Sequence, residues 1–482
     1  MLSPHIIHSK LNIIRYVIYL LIVLLAFSPL TTGSAQTEQP SGPIYVVQEG
    51  DSLWGIAARF GVSVDDLLAV NNIGNANQLN VGMNLVIPGL GNIQGTIVTE
   101  TLPYGETLRS IERRYQIPQD TIVRLNRLTS PSEIYAGLTF ILPEQSTQAP
   151  ALARDTIQPG QSLLEFAVLH AVAPWSLVNS NTLTNTLSTL PGDVLRIPGK
   201  MAEGPGALPG SITGIDVSPL SLKQGKVAEI KISTDNELSL SGSLLGHDLQ
   251  FYPNEGKGYT ALQGVHAMTE PGIYPLVINM KFPDNNEYSF TQMVPVKAVD
   301  YPYDQPLAVD PATIDPAVTG PEDAQWSALA STSTSEKYWN GLFKIPSPLD
   351  QNYCVQTGDC WASRYGNRRS YNGSAYNYFH TGLDIVGKTG TDIYAPADGV
   401  VVFTGPLTVR GNATMINHGW GVYTGYMHQS EILVKPGDFV KAGQLIGKVG
   451  GTGRVQGPHL HWEVWVNGIQ VDPLDWLSEI YP

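Results

Sequence analysis

The sequence predicts a multidomain, mainly β chain, and three observations carry that expectation. A unit of about 45 residues recurs three times in the first 200, apolar residues in the middle of the chain recur with period two, and a Gly-rich C-terminal stretch holds five of the ten histidines, between His380 and His461. The 482 residues include 48 Gly and 35 Pro but only 15% charged side chains, which argues against helical bundles and coiled coils. At 42% apolar the chain can bury several cores, so disorder throughout is excluded. A formal charge of −14 without a Lys/Arg run speaks against nucleic acid, whose binding rests on clustered cations.

The N-terminus suggests export. Lys10 and Arg15 precede twelve apolar residues, 16–27, followed by Ser28-Pro29 and the small residues Thr31 to Ala35. That span fits a signal-peptide core (1–35) better than the roughly 20 residues of a membrane span. An uncleaved anchor counted over 11–30 is the other reading. Cleavage after Ala35 would remove two cations and no acid, taking the charge from −14 to −16. The protein is then expected to be secreted and extracellular, with no membrane span after signal cleavage.

A shift of 55 residues superposes residues 49–53, 104–108 and 159–163 (EGDSL, YGETL, PGQSL). It also aligns Asn71, Asn126 and Asn181, then Gly82, Gly137 and Gly192, then Pro88, Pro143 and Pro198. Each unit reads strand, turn, helix, helix, strand. In the first, residues 44–47 are β-branched and aromatic, Gly50-Asp51-Ser52 is a turn and helix cap, Leu53, Ile56, Ala57 and Phe60 follow a helical period, and 85–87 form the returning strand. The units span 44–88, 97–143 and 154–198.

This pattern resembles the LysM module, most fully over residues 45–54 and at Ile87-Pro88 of the first unit. The resemblance implies binding of N-acetylglucosamine-containing glycans such as peptidoglycan, at Gly50, Asp51, Ser52, Leu53 and the residues from Asn71 onward. Gly50 and Asp51 could equally serve only to shape a turn and cap a helix. Arg109 replaces the Trp of unit one in unit two, and unit three departs further with His170, Pro174 and Trp175. Glycan binding is therefore expected chiefly in unit one.

Over 212–298 the period of two, as in residues 276–282, and the turn signals at Pro271-Gly272 and 283–286 suggest an immunoglobulin-like β-sandwich that acts as a spacer. His247 and His266 stand alone there and read as surface or packing residues. Residues 299–336, rich in Pro, Asp, Ser and Thr, read as a linker with one helix at 322–330. Cys354 and Cys360 are expected to close a small disulfide loop in an oxidising compartment, contributing roughly 2 kcal/mol by the chain-entropy argument.

The chemistry is expected in 337–482. His380 and Asp384 lie four apart, and His459 and His461 two apart. On strands, such spacings place each pair on one face, so both pairs can point at one spot. Imidazole plus carboxylate suits zinc, with three protein ligands leaving a position for water. Spacing does not decide whether His459 or His461 is a ligand.

The motifs His-x-x-x-Asp and Gly-Pro-His-Leu-His resemble the M23 family of metallopeptidases, the lysostaphin-like cell-wall endopeptidases. Further matching stretches, 364–369, 394–399, 424–428, 440–447 and 471–473, cover most of 342–474. The resemblance implies an antiparallel-β peptidase domain with one Zn2+ per chain on His380, Asp384 and His461, and with His428 and His459 as the catalytic pair that orients water and stabilises the oxyanion. It leaves His418 out as a packing residue and gives Glu463 a supporting hydrogen bond to a ligand. Residues 453–458, including Arg454, depart from the small hydroxyl residues usual in the family, which would alter the cleft wall. The whole reads as a secreted zinc endopeptidase acting on peptidoglycan cross-links or stems and targeted by glycan-binding modules. The alternative is a non-catalytic peptidoglycan-binding scaffold or an activator of another hydrolase.

Overall fold

A computed structural model of the chain describes residues 42–482 except 76–77, 91–92, 94, 145–151 and 255. The signal-sequence expectation for 1–35 lies outside the described residues. No single described helix is long and apolar enough to cross a membrane. The chain divides into two units, residues 1–96 and 97–482.

The first unit contains one repeat: β1 (Ile44–Val46), α1 (Leu53–Phe60), α2 (Val64–Val70) and β2 (Asn84–Val86), the two strands pairing antiparallel. Ser52 caps α1 by accepting from the Gly55 N–H at 3.0 Å, and Gly61 ends it at φ 65°, a conformation that favours glycine. Tyr45, Leu53, Ile56, Phe60, Leu67 and Leu85 form the small core. Asn71 ties α2 to β2: its amide donates to the carbonyls of Leu67 and Val86 and its oxygen accepts from the Val86 N–H.

The second unit begins with two more repeats. One is β3 (Thr96–Thr101), α3 (Leu108–Tyr115), α4 (Gln119–Asn126) and β4 (Thr139–Pro143); the next is β5 (Leu152–Thr156), α5 (Leu163–Leu169), α6 (Pro174–Ser180) and β6 (Val194–Met201). Asn126 and Asn181 reproduce the Asn71 clasp bond for bond, which explains why the repeat spacing holds an Asn there.

Residues 212–297 form two sheets around one apolar core. β7 (Ile212–Ser218), β8 (Leu222–Lys223), β9 (Val227–Thr234), β10 (Ser239–Leu244), β11 (His247–Asp248), β12 (Tyr252–Pro253), β13 (Gly258–Gly264), β14 (Gly272–Lys281) and β15 (Glu287–Lys297) divide into the orders β12-β13-β9-β7 and β11-β10-β14-β15-β8. This is the two-layer arrangement that period two implies. The immunoglobulin-like kinship read from the sequence is not established by that arrangement alone.

The spacer is anchored on both sides. From the second repeat, the Tyr104 hydroxyl donates to the Leu276 carbonyl, the Gly105 N–H to the Gln292 side chain, and the Gln292 amide to the Glu106 carbonyl. Towards the C-terminal region, Lys226 reaches Asp472 at 3.0 Å and Asp475 at 2.6 Å, while Val227, Tyr252 and Leu262 join the C-terminal core.

The 299–336 segment, read from the sequence as a linker, is packed. It carries α7 (Pro316–Ala330), which starts at an Asp315 cap and buries Trp326 and Ala330 among Met415, Tyr423 and Trp465. Its Glu322 accepts from the backbone of Val409 and Arg410 and from the Arg410 guanidinium.

The C-terminal region opens with α8 (Gln351–Thr357), where Cys354 and Cys360 form a disulfide. It then builds β16 (Trp361–Ser363), β17 (Arg368–Arg369), β18 (Tyr378–Phe379), β19 (Leu383–Val386), β20 (Asp392–Tyr394), β21 (Gly399–Leu407), β22 (Gly411–Gly419), β23 (Val422–Ile432), β24 (Phe439–Val440), β25 (Leu445–Val449), β26 (His459–Val466), β27 (Ile469–Val471) and α9 (Pro473–Ser478). The main sheet runs β16-β19-β26-β23-β22-β21-β24 with antiparallel pairing.

Candidate metal centre and cleft

Three adjacent strands line up the site. Asp384 on β19 lies directly opposite His461 on β26, which in turn faces Met427 on β23. His380 precedes β19 in a loop, so it does not share a strand with Asp384 as the spacing suggested; its backbone is held by hydrogen bonds with Gly366 and Asn367. The intervening Gly382 sits against the Trp462 carbonyl and the His461 ring, leaving no room for a Cβ. His428 reaches the site through a break in register between β22 and β23 and has φ 64°. In a regular strand Met427 and His428 would face opposite sides; this bulge lets both line the cleft.

His380 Nε2, Asp384 Oδ1 and His461 Nδ1 converge, at 3.0 Å, 2.9 Å and 2.8 Å from one another. Their second atoms are already committed. His380 Nδ1 donates to the Arg364 carbonyl at 2.9 Å, and His461 Nε2 faces Glu463 Oε1 at 3.3 Å. Burial would raise the Glu463 pKa, but the hydrogen bond and charge of His461, the Arg410 charge and the Thr381 hydroxyl bring it down to about 2, so it is the acceptor. With those protons placed, two imidazole lone pairs and a carboxylate oxygen confront one another. A cation relieves that repulsion, so the donor set fits a metal ion.

Burial, with the Arg369 charge, pushes the His380 pKa down to about 4, which keeps the ring neutral and able to ligate. Asp384 is held well below the usual carboxylate range: burial acts against this, and the surrounding histidines overcome it. Asp384 Oδ2 also accepts from Arg369 at 3.1 Å, and Arg369 is braced by Asp304. Glu463 Oε2 accepts from the indoles of Trp326 and Trp465, so the α7 helix helps fix the carboxylate behind His461. That is the supporting bond expected of Glu463.

His428 and His459 stand beside the triad, with ring centroids 4.9 Å apart. The His428 Nδ1 donates to the Thr452 carbonyl and the His459 Nδ1 to the Gly457 carbonyl, leaving Nε2 of each ring outside those bonds. Burial and the neighbouring His459 and His461 push the His428 pKa down to about 3. His459 Nε2 lies 3.5 Å from Asp384 Oδ1. The cleft has two lobes, of about 290 Å3 and 410 Å3, that share Arg369, Tyr371, His428, Arg454 and His461.

Residues 378–473 match the family model for peptidase family M23. The region that holds the site is thus similar to the M23 peptidases. Residues 45–88 and 104–143 match the LysM domain. Over 112 residues the chain is 44% identical to the peptidoglycan DD-endopeptidase ShyC of Vibrio cholerae, covering 23% of this chain and 26% of that protein. It is 47% identical to the DD-carboxypeptidase/endopeptidase Mpg of Neisseria meningitidis over 20% of this chain and 22% of that one. The chain therefore spans about a quarter of the length of these relatives. Lysostaphin of Staphylococcus simulans is 37% identical over 20% of this chain and 44% of its own, with a TM-score of 0.20.

All five residues that the M23 resemblance points to, His380, Asp384, His428, His459 and His461, are brought together in this domain. His418 is elsewhere: it is fully buried, bonded to the Asp398 carbonyl and the Thr424 hydroxyl. Sequence reasoning missed the upstream contributors. His266 and Met268, from the turn after β13, line the smaller lobe, and Asp304 and Leu307 line the larger. The local sequence around His266 holds no signal for that placement.

In the first LysM repeat, the residues expected to bind glycan also make contacts within the fold. Gly50 makes the turn at φ 84°, Ser52 caps α1 and Leu53 is core. Asp51 accepts from the Tyr45 hydroxyl at 2.6 Å, the Gln48 N–H at 2.8 Å and Arg59 at 3.2 Å. The Asn71 side chain is taken up by its clasp. These side chains hold the fold, and Trp54 beside them is 78% exposed.

Proposed function

We propose that the chain is a zinc-dependent endopeptidase that hydrolyses peptide bonds in peptidoglycan cross-links or stems, acting outside the cell and held at the wall by its first LysM repeat. The observation that carries this reading is the convergence of His380 Nε2, Asp384 Oδ1 and His461 Nδ1 within 3.0 Å of one another. Relatives named as DD-endopeptidases favour a cross-link bond as the target.

When bound there, zinc supplies Lewis acidity towards a substrate carbonyl and acidifies water. The chain's own residues do the rest. His428 and His459 present Nε2 atoms that accept the proton of the attacking water. The one imidazole that takes up this proton donates it to the developing oxyanion and then passes it to the departing amine as the C–N bond breaks. Two lobes flanking the site suit an endopeptidase, which must hold peptide on both sides of the bond it cuts.

Trp54 and the loop backbone around Gly50 supply the glycan contact in the first repeat. The equivalent loop of the second repeat is covered by the sandwich, with Tyr104 and Glu106 each 2% exposed, so that repeat acts as a structural joint. The test is muropeptide release from purified walls by the chain lacking its signal sequence. Release that stops with chelator and with His461→Ala supports the reading; release indifferent to both refutes it.

A further inference from the structure

Three arginines line the cleft, and their pairing differs. Arg369 is held by Asp304 and Asp384, and Arg410 by Glu322 and Asp323. The acids of the cleft are thereby used up, since Glu463 is taken by His461, Thr381 and two indoles. Arg454 has no carboxylate partner among the described residues. Its guanidinium lies over the Tyr371 ring, 4.4 Å from the centroid, with Nη1 donating to the Thr313 carbonyl at 3.0 Å and Nη2 to the Tyr371 hydroxyl at 3.4 Å. Among the described residues, two of its five N–H groups are engaged, so the plane is fixed and the remaining donors have no protein partner there.

Arg454 also belongs to both lobes, together with His428 and His461. A preorganised guanidinium with unspent donors, partly shielded from water and with no acid to neutralise it, suits one chemical class: a carboxylate. We propose that Arg454 forms a subsite for a free carboxylate carried by the peptide close to the scissile bond, so that the cleft selects acidic stem peptides over their amidated forms. The proposal rests on the endopeptidase reading for its substrate class. Arg454 is a specificity residue and takes no part in proton transfer.

The test compares a synthetic cross-linked stem peptide bearing a free carboxylate with the same peptide as its carboxamide. Calorimetry on the metal-depleted chain measures affinity independently of turnover. The native chain is expected to bind the acid about tenfold or more tightly than the amide, a preference that falls with added salt. Arg454→Ala is expected to remove that preference by weakening the acid alone, and Arg454→Lys to restore part of it. With metal bound, the same split is expected in KM, with kcat little changed. Equal affinity of the native chain for both peptides overturns the proposal, as does an Arg454→Ala loss that is the same for acid and amide. The native-chain comparison holds even if the alanine variant does not fold. Cleavage is a separate readout: acid-selective binding without metal-dependent cleavage leaves the subsite standing and refutes the endopeptidase reading.

Discussion

The peptidase cleft and the first LysM repeat both carry dense, recognisable motifs, yet their side chains are used in opposite ways. In the cleft, each histidine has one ring nitrogen committed to a backbone carbonyl or carboxylate and the other turned towards the centre. In the repeat, Asp51, Ser52 and Asn71 spend their capacity on the fold itself. A motif residue reports on function when bonding capacity is left over, and on architecture when it is exhausted. His418 makes the same point within the peptidase domain: it is as buried as His380, but both ring nitrogens are satisfied.

The sharpest way to break this contrast is to truncate one residue from each side. His380→Ala is expected to lower muropeptide release by at least about 10³-fold while the thermal midpoint of the metal-free protein changes little, since it removes one of the three converging donors. Asn71→Ala is expected to do the reverse, leaving peptidase activity on soluble peptides intact and destabilising the first repeat by about 2 kcal/mol in denaturant titration. If Asn71→Ala leaves stability unchanged and weakens glycan binding, the side chain is a contact after all.

A smaller effect is expected from Trp54→Ala. Loss of an exposed aromatic face should weaken binding of N-acetylglucosamine oligomers about tenfold with no change in stability. The same substitution at Arg109, its counterpart in the second repeat, should leave glycan binding unaltered, because the neighbouring loop is covered. Smallest is a pH effect at Asp51. Burial opposes ionisation there, but hydrogen bonds from Tyr45 and the Gln48 N–H and the charge of Arg59 hold its pKa below the ordinary 3.8. A depressed carboxylate stabilises the fold above its unfolded pKa and loses that contribution as pH falls. The first repeat should therefore weaken as pH falls below 3.8, and Asp51→Asn should flatten that dependence.

What the sequence disclosed follows from how local each signal is. The repeats were legible because turn glycines, helix caps and the Asn clasp recur at one spacing. The metal-type triad was legible from two short motifs, although the strand argument for His380 and Asp384 was not how the chain achieves it. The long-range contributions were hidden. Nothing near His266 announces that the sandwich lends a wall to the cleft. Pro321 lies inside α7 and disguised its start, although Asp315 followed by Pro316 is a helix-opening signature. The bulge that aims His428 is a register event between strands, which one strand's pattern does not encode.

The most direct test of the central claim is the metal content and wall-cleaving activity of residues 36–482, measured before chelation, after it, and after zinc is restored, with His461→Ala alongside. About one zinc per chain is expected, with muropeptide release that disappears on chelation and returns with zinc, and neither metal nor release in the variant. Cleavage that persists in metal-free protein, or a variant that releases muropeptides like the native chain, would contradict it.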